Sequence, residues 1–147
     1  MSPDISLRIA CSTDAEFAYK VLERTMREYA TKTWGLWSEE QARSKTTDDA
    51  IAGRSQVIQA GSKEVGLLRV DHLPTHMQLD QLFVLPEYQR QGIGAKVLAI
   101  VAAQARSLHL PVRLRVLRVN PAKAFYERHG FRVTSESPER VFMERAP

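Results

Sequence analysis

The chain has 147 residues, 44% hydrophobic and 26% charged, with 21 basic and 17 acidic side chains and a net charge of +4. That composition is ordinary for a globular chain, with no repeat or low-complexity tract, and the length suits one domain, 1–147, with a core of its own. No apolar run approaches the ~18 residues a membrane span requires. The single cysteine, Cys11, excludes an internal disulfide and a multi-cysteine zinc site, and is expected to be a buried structural thiol. The opening MSPDISLRIA lacks the basic and long apolar segments of a secretory leader, so a cytoplasmic location is expected. Arg113, Arg115 and Arg118 come nearest to a basic cluster. Arg113 and Arg115 alternate with Leu114 and Val116, as on the polar side of a strand, so neither nucleic acid nor membrane is an expected partner.

In chain order, 7–10 reads as a short strand. A helix follows over 14–29, capped by Ser12 or Thr13 with Glu16 as the acidic partner of Thr13. Phe17, Val21, Leu22, Thr25, Met26 and Tyr29 recur at helical spacing and form its buried side. A Trp-bearing loop is expected over 31–37, and Ser38 opens a second helix running to about Lys45 or further. Strands at 54–60, 65–71 and 77–85 are separated by hairpin-length connections, which favours an antiparallel meander. Pro86 stops the third of these strands. A helix over 93–108 buries Ile93, Val97, Ile100 or Val101, Ala105 and Leu108. A strand at 112–119 precedes a helix from Pro121 to His129 that Gly130 closes, and strands at 131–134 and 141–144 end the chain. The order β-α-α-β-β-β-α-β-α-β-β defines an α+β, or mixed α/β, sheet.

Two segments carry chemistry. Gln89, Arg90, Gln91, Gly92, Ile93 and Gly94 lie between a strand and a helix. Glycines at a helix mouth let the backbone turn tightly and leave N–H donors pointing outward, where the positive end of the helix dipole favours an anion. No Lys-Ser/Thr pair follows, against a nucleotide-hydrolysing P-loop. The third glycine and the downstream acid of a dinucleotide-binding turn are also missing. The second segment is 120–131. Its Asn120 can cap a helix, and its adjacent Phe125 and Tyr126 point about 100° apart, so one can pack in the core while the other faces a cleft. A phenol, with a pKa near ~10, is a proton donor at neutral pH.

Together, in this order and at this separation, the segments resemble those of the GNAT superfamily of acyl-CoA-dependent N-acetyltransferases. Residues 89–94 fit the family's Gln/Arg-x-x-Gly-x-Gly/Ala pattern, the preceding Leu82-Phe83-Val84-Leu85-Pro86-Glu87-Tyr88 is equally typical, and Asn120, Ala124, Gly130 and Phe131 frame the second segment. The resemblance spans about 7–144. It implies a central, mostly antiparallel sheet of about six or seven strands with one splayed parallel pair, 77–85 and 112–119, flanked by about four helices.

The resemblance also implies acetyl-CoA as cofactor. Backbone N–H groups from Arg90 to Ala95 would hold the pyrophosphate, and Leu82, Phe83 and Val84 would bond the pantetheine arm like an added strand. Asn120 would contact the arm, Phe125 would pack beneath it, and Tyr126 would protonate the departing thiolate. The acceptor would be a primary amine attacking directly in a ternary complex. Where some family members place a base, this chain has Gln78; Asp80 is the candidate base, with Glu28, Glu39 and His76 as further choices. Tyr29, Trp34, Trp37 and Glu39 either wall a site for a cationic amine or anchor a corner between helices. The four histidines show no metal-ligand spacing, so no metal is expected. A homodimer is compatible with the family, and a non-catalytic acyl-CoA sensor of the same fold is the alternative function.

Overall fold

The structure, a computed structural model, describes residues 4–147; the first three residues of the leader reading lie outside the described residues. In chain order the elements are β1 Ile5–Ile9, α1 Ala15–Trp34, α2 Glu39–Ile51, β2 Gln56–Ala60, β3 Lys63–His72, β4 Met77–Val84, α3 Ile93–Ser107, β5 Val112–Leu117, α4 Ala122–Arg128, β6 Arg132–Glu136 and β7 Arg140–Arg145. One sheet of seven strands runs β1-β2-β3-β4-β5-β7-β6. All neighbours are antiparallel except β4 and β5, which are parallel and pair only at Met77↔Val112 and Gln78↔Arg113. Beyond those two levels the strands part, giving the splayed pair the family resemblance implies.

The core lies between the sheet and α3–α4. Val97 and Val101 of α3 pack with Ile58, Leu68, Met77, Leu114 and Met143. On the other face, Ala18 and Val21 of α1 meet Leu67 and Leu85. Gly66 is required where β3 crosses β4, since a Cβ there would collide with the Phe83 carbonyl oxygen. In β4, Arg69↔Gln81 and Val70↔Leu79 leave Asp80 unopposed, a bulge that resets which side chains face which side.

Several local expectations are corrected. Helix α1 does not end at Tyr29 but continues through Trp34, so no loop covers 31–34. Thr31 and Thr33 do not break it, because their hydroxyls donate back to the Arg27 and Tyr29 carbonyls at 2.8 Å. Gly35, in the left-handed region at φ 82°, stops it and donates its N–H to Thr31 O. At the start, neither Ser12 nor Thr13 caps the helix. Asp14 accepts the Cys11 N–H at 2.9 Å while two Arg8 bonds at 2.8 Å hold its carboxylate, and Glu16 turns outward to Arg43 at 2.7 Å. Cys11 is exposed rather than a buried thiol. Leu108 is 51% exposed because the chain turns just past the end of α3, where His109 takes φ 56°. Ser38 does cap α2, its Oγ accepting from Gln41 N at 3.2 Å.

Candidate active site

The gap between β4 and β5 opens into a cleft of about 480 Å³. Thr25, Met26 and Tyr29 of α1 form one wall, and Leu82, Phe83 and Val84 of β4 line its side. Gln89, Arg90, Gly92 and the first residues of α3, Ile93, Gly94 and Ala95, close one end. Asn120, Phe125 and Tyr126 form the opposite wall. The expected cofactor residues therefore converge on one cleft, except Gln91, whose amide turns toward the Glu87 carbonyl at 3.5 Å.

The loop is shaped by two left-handed residues, Arg90 at φ 64° and Gly92 at φ 79°, just ahead of α3. It is tied down at its leading end. Gln89 Nε2 donates to the Val84 carbonyl at 2.9 Å, and Arg24 of α1 grips Glu87 through bonds at 2.9 and 2.7 Å. The Arg24 guanidinium holds the Glu87 carboxyl below its usual range. Gly94 lies 3.5 Å, at an ideal Cβ position, from the Phe125 ring, so the two segments pack directly on each other.

Asn120 Oδ1 accepts the N–H of Ala122, the first residue of α4, at 2.9 Å, while its amide reaches Met26 Sδ at 4.0 Å from across the cleft. Tyr126 is 7% exposed and stacks edge-on with Phe125 and Phe131, at 5.2 and 5.5 Å between ring centres. Its hydroxyl has no hydrogen-bond partner among the described residues. Burial alone pushes the phenol pKa up. The result is a neutral O–H donor at the cleft wall.

Other expected residues sit elsewhere. Asp80 does not line the cleft; Lys45 and Arg69 each approach it at 3.8 Å in a network that also holds Asp49 and Asp71. Of the four expected substrate residues only Tyr29 reaches the cleft. Trp37 donates to Tyr19 Oη at 3.3 Å, and Glu39 accepts from the Tyr19 hydroxyl at 3.5 Å, so both knit the α1–α2 corner. Trp34 is half-exposed beneath the Arg140 guanidinium. His76, a further choice of base, bonds Thr75 and Gln78. Among the described residues no group of three His, Cys, Asp or Glu is placed to hold a metal. The sequence reading missed Thr25, Met26 and Tyr88 as cleft residues. The signal available was Thr25, a polar residue inside the apolar stripe of α1.

The cleft thus sets the parted edge of β4 beside the N-terminus of α3, with the buried phenol of Tyr126 opposite. The chain belongs to the GNAT acetyltransferase family: the acetyltransferase (GNAT) domain model matches residues 52–133, which include both segments. The fold is shared across nearly the whole length with solved structures of low identity. An acetyltransferase from Thermus thermophilus is 22% identical over 100% of both chains, with a TM-score of 0.80. PaiA N-acetyltransferase from Thermoplasma acidophilum, solved in complex with coenzyme A, is 21% identical over 98% of this chain and 99% of its own, with a TM-score of 0.74. The ribosomal-protein-S18-alanine N-acetyltransferase of Escherichia coli is 20% identical over 97% and 94%, with a TM-score of 0.70. No curated protein sequence matches the chain.

Proposed function

We propose that residues 1–147 form a single N-acetyltransferase domain that moves an acetyl group from acetyl-CoA to a primary amine within a ternary complex. The observation that carries this reading is the cleft between β4 and β5, which joins a left-handed anion loop to the unpartnered hydroxyl of Tyr126. The residues fit the donor. N–H groups at the mouth of α3 suit a pyrophosphate, and the parted edge of β4 suits an amide-bearing arm laid alongside it. When bound, acetyl-CoA supplies a thioester carbonyl and a thiolate leaving group.

The chain's own residues then do three things. The Arg90–Ala95 backbone and Asn120 hold the donor in place, and fixing both reactants in one cleft supplies much of the acceleration. Main-chain N–H groups near Val84 polarise the carbonyl as an amine nitrogen attacks it. Tyr126 Oη gives its proton to sulfur as the carbon–sulfur bond breaks, and the proton lost by the amine balances the one gained by the thiol. Asp80 stands away from the cleft beside Lys45 and Arg69, so the amine's proton is assigned to solvent.

The test is acetyl-CoA-dependent thiol release against an amine library, with a CoA co-structure. Turnover with the cofactor on the 90–95 amides supports the reading. Firm acetyl-CoA binding with no turnover on any amine would make the chain an acyl-CoA sensor instead.

A further inference from the structure

The side of β5, β7 and β6 that faces away from α3 carries an unbalanced charge. Alternation and register place Arg113, Arg115 and Leu117 of β5 on it, opposite Glu144, Phe142 and Arg140 of β7, with Arg132 of β6 beside Glu144. Only Arg113 is neutralised there, by Glu144 at 2.8 Å. Arg115 and Arg132 are exposed and have no hydrogen bond or ion pair among the described residues, and no carboxylate pairs with Arg140. The β3–β4 part of the same sheet face differs: there Arg69 and Lys45 are matched by Asp49, Asp71 and Asp80. The positive excess is therefore local to the half of the sheet that borders the split.

Its geometry suits a carboxylate. Arg115 and Arg140 are diagonal neighbours across the β5–β7 pair, roughly 7–8 Å apart at that position, with Phe142 directly opposite Arg115. Trp34 underlies Arg140 with 5.4 Å from guanidinium to ring centre. Trp34 is also five residues beyond Tyr29, the last cleft residue of α1, which is about 7.5 Å along a helix. Two extended residues of a peptide span about 7 Å.

We propose that the acceptor is a peptide-like amine with a carboxylate about two residues from its reacting nitrogen, held by Arg115 and Arg140. The proposal rests on the acetyl-transfer reading and fixes the sign of the acceptor's charge: this face favours an anionic acceptor over a polyamine. Bonds between a guanidinium and a carboxylate are charge-assisted and strong enough to dominate selection among amines of equal reactivity.

The test compares the C-terminal amides of Ala-Ala-Glu and Ala-Ala-Lys, so that the glutamate side chain is the only carboxylate, with spermidine at saturating acetyl-CoA, reading kcat/KM by thiol release. The acidic peptide should be preferred by roughly tenfold or more, and Arg115→Glu or Arg140→Glu should each remove roughly that factor and leave the lysine peptide equal or better. Arg106→Glu, on α3 at the opposite face, should change neither. Preference for spermidine or the lysine peptide, or an acidic preference untouched by Arg115→Glu and Arg140→Glu, overturns the proposal. If no amine turns over, the acetyl-transfer reading falls, and the carboxylate site is read separately. In a Trp37→Phe background, Trp34 fluorescence is titrated with N-acetyl-Ala-Ala-Glu in the presence of CoA. A saturable change lost in Arg140→Glu supports the site, and its absence overturns it.

Discussion

Replacing Tyr126 with phenylalanine should separate chemistry from stability. The ring keeps its edge-on contacts with Phe125 and Phe131, so only the hydroxyl is lost. That hydroxyl has no partner among the described residues, so its removal orphans no other group. A desolvated hydroxyl without a partner costs about 1–3 kcal/mol in mutational data. This one borders the cleft and is partly hydrated, so the gain falls at or below the low end of that range, about 0–1 kcal/mol, or a Tm rise of at most about 4 °C. Turnover should fall by roughly 10²–10⁴, the range general acid catalysis supplies, with acetyl-CoA affinity nearly unchanged. Thiol-release kinetics, calorimetric titration with acetyl-CoA and thermal melts read the three quantities. Full turnover in the variant would refute the proton-donor role, and a Tm drop of several degrees would refute the claim that the hydroxyl is unpaired. The pH dependence has a definite sign. Burial raises the folded-state phenol above its unfolded value, so the wild-type chain loses stability as pH rises through about 10 and beyond, and Tyr126→Phe removes that contribution.

Gly66→Ala should lower stability by about 1–3 kcal/mol and weaken CoA binding, because the added methyl must push β4 aside at Phe83; urea melts and titration check both. Asp14 is held at about 2, below 3.8, chiefly by its Arg8 hydrogen bonds. Its contribution is present above the unfolded value and lost as pH falls from about 4 toward 2. Asp14→Asn should therefore cost on the order of 1–2 kcal/mol at neutral pH and flatten the acid limb of a Tm–pH profile. Asp80→Asn should keep turnover within about threefold; a hundredfold loss at unchanged Tm would restore Asp80 as the base.

What the sequence made legible was local. Ser38 before an acidic turn, Asn120 before Pro121, and the glycines ahead of Ile93 each act within a few residues, and their elements form where the pattern places them. What it hid was the choice of partner. Glu39 and Trp37 look like a wall for a cation until Tyr19, on the preceding helix, claims the Trp37 N–H. Asp80 looks free until Lys45 and Arg69 converge on it from other elements. Strand alternation also gives no sign of the bulge there, which turns Leu82 to the α3 side and Phe83 toward α1. Thr31 and Thr33 are weak helix formers by propensity, yet α1 passes through both.

The parting of β4 from β5 makes two edges in the middle of a sheet. An edge strand offers only amide N–H and carbonyl groups, repeated at every residue, and it recognises any extended chain that brings the complementary row. Such a surface cannot by itself tell the donor's arm from a stray peptide strand of similar length. On the proposed reading, discrimination comes from the end of the groove, where Arg90 and Gly92, both at positive φ, shape the mouth of α3 for a pyrophosphate that a peptide lacks. Short β-strand mimics without a phosphate should therefore act as weak competitive inhibitors against acetyl-CoA, and adding a terminal phosphate should be what converts one into a tight inhibitor.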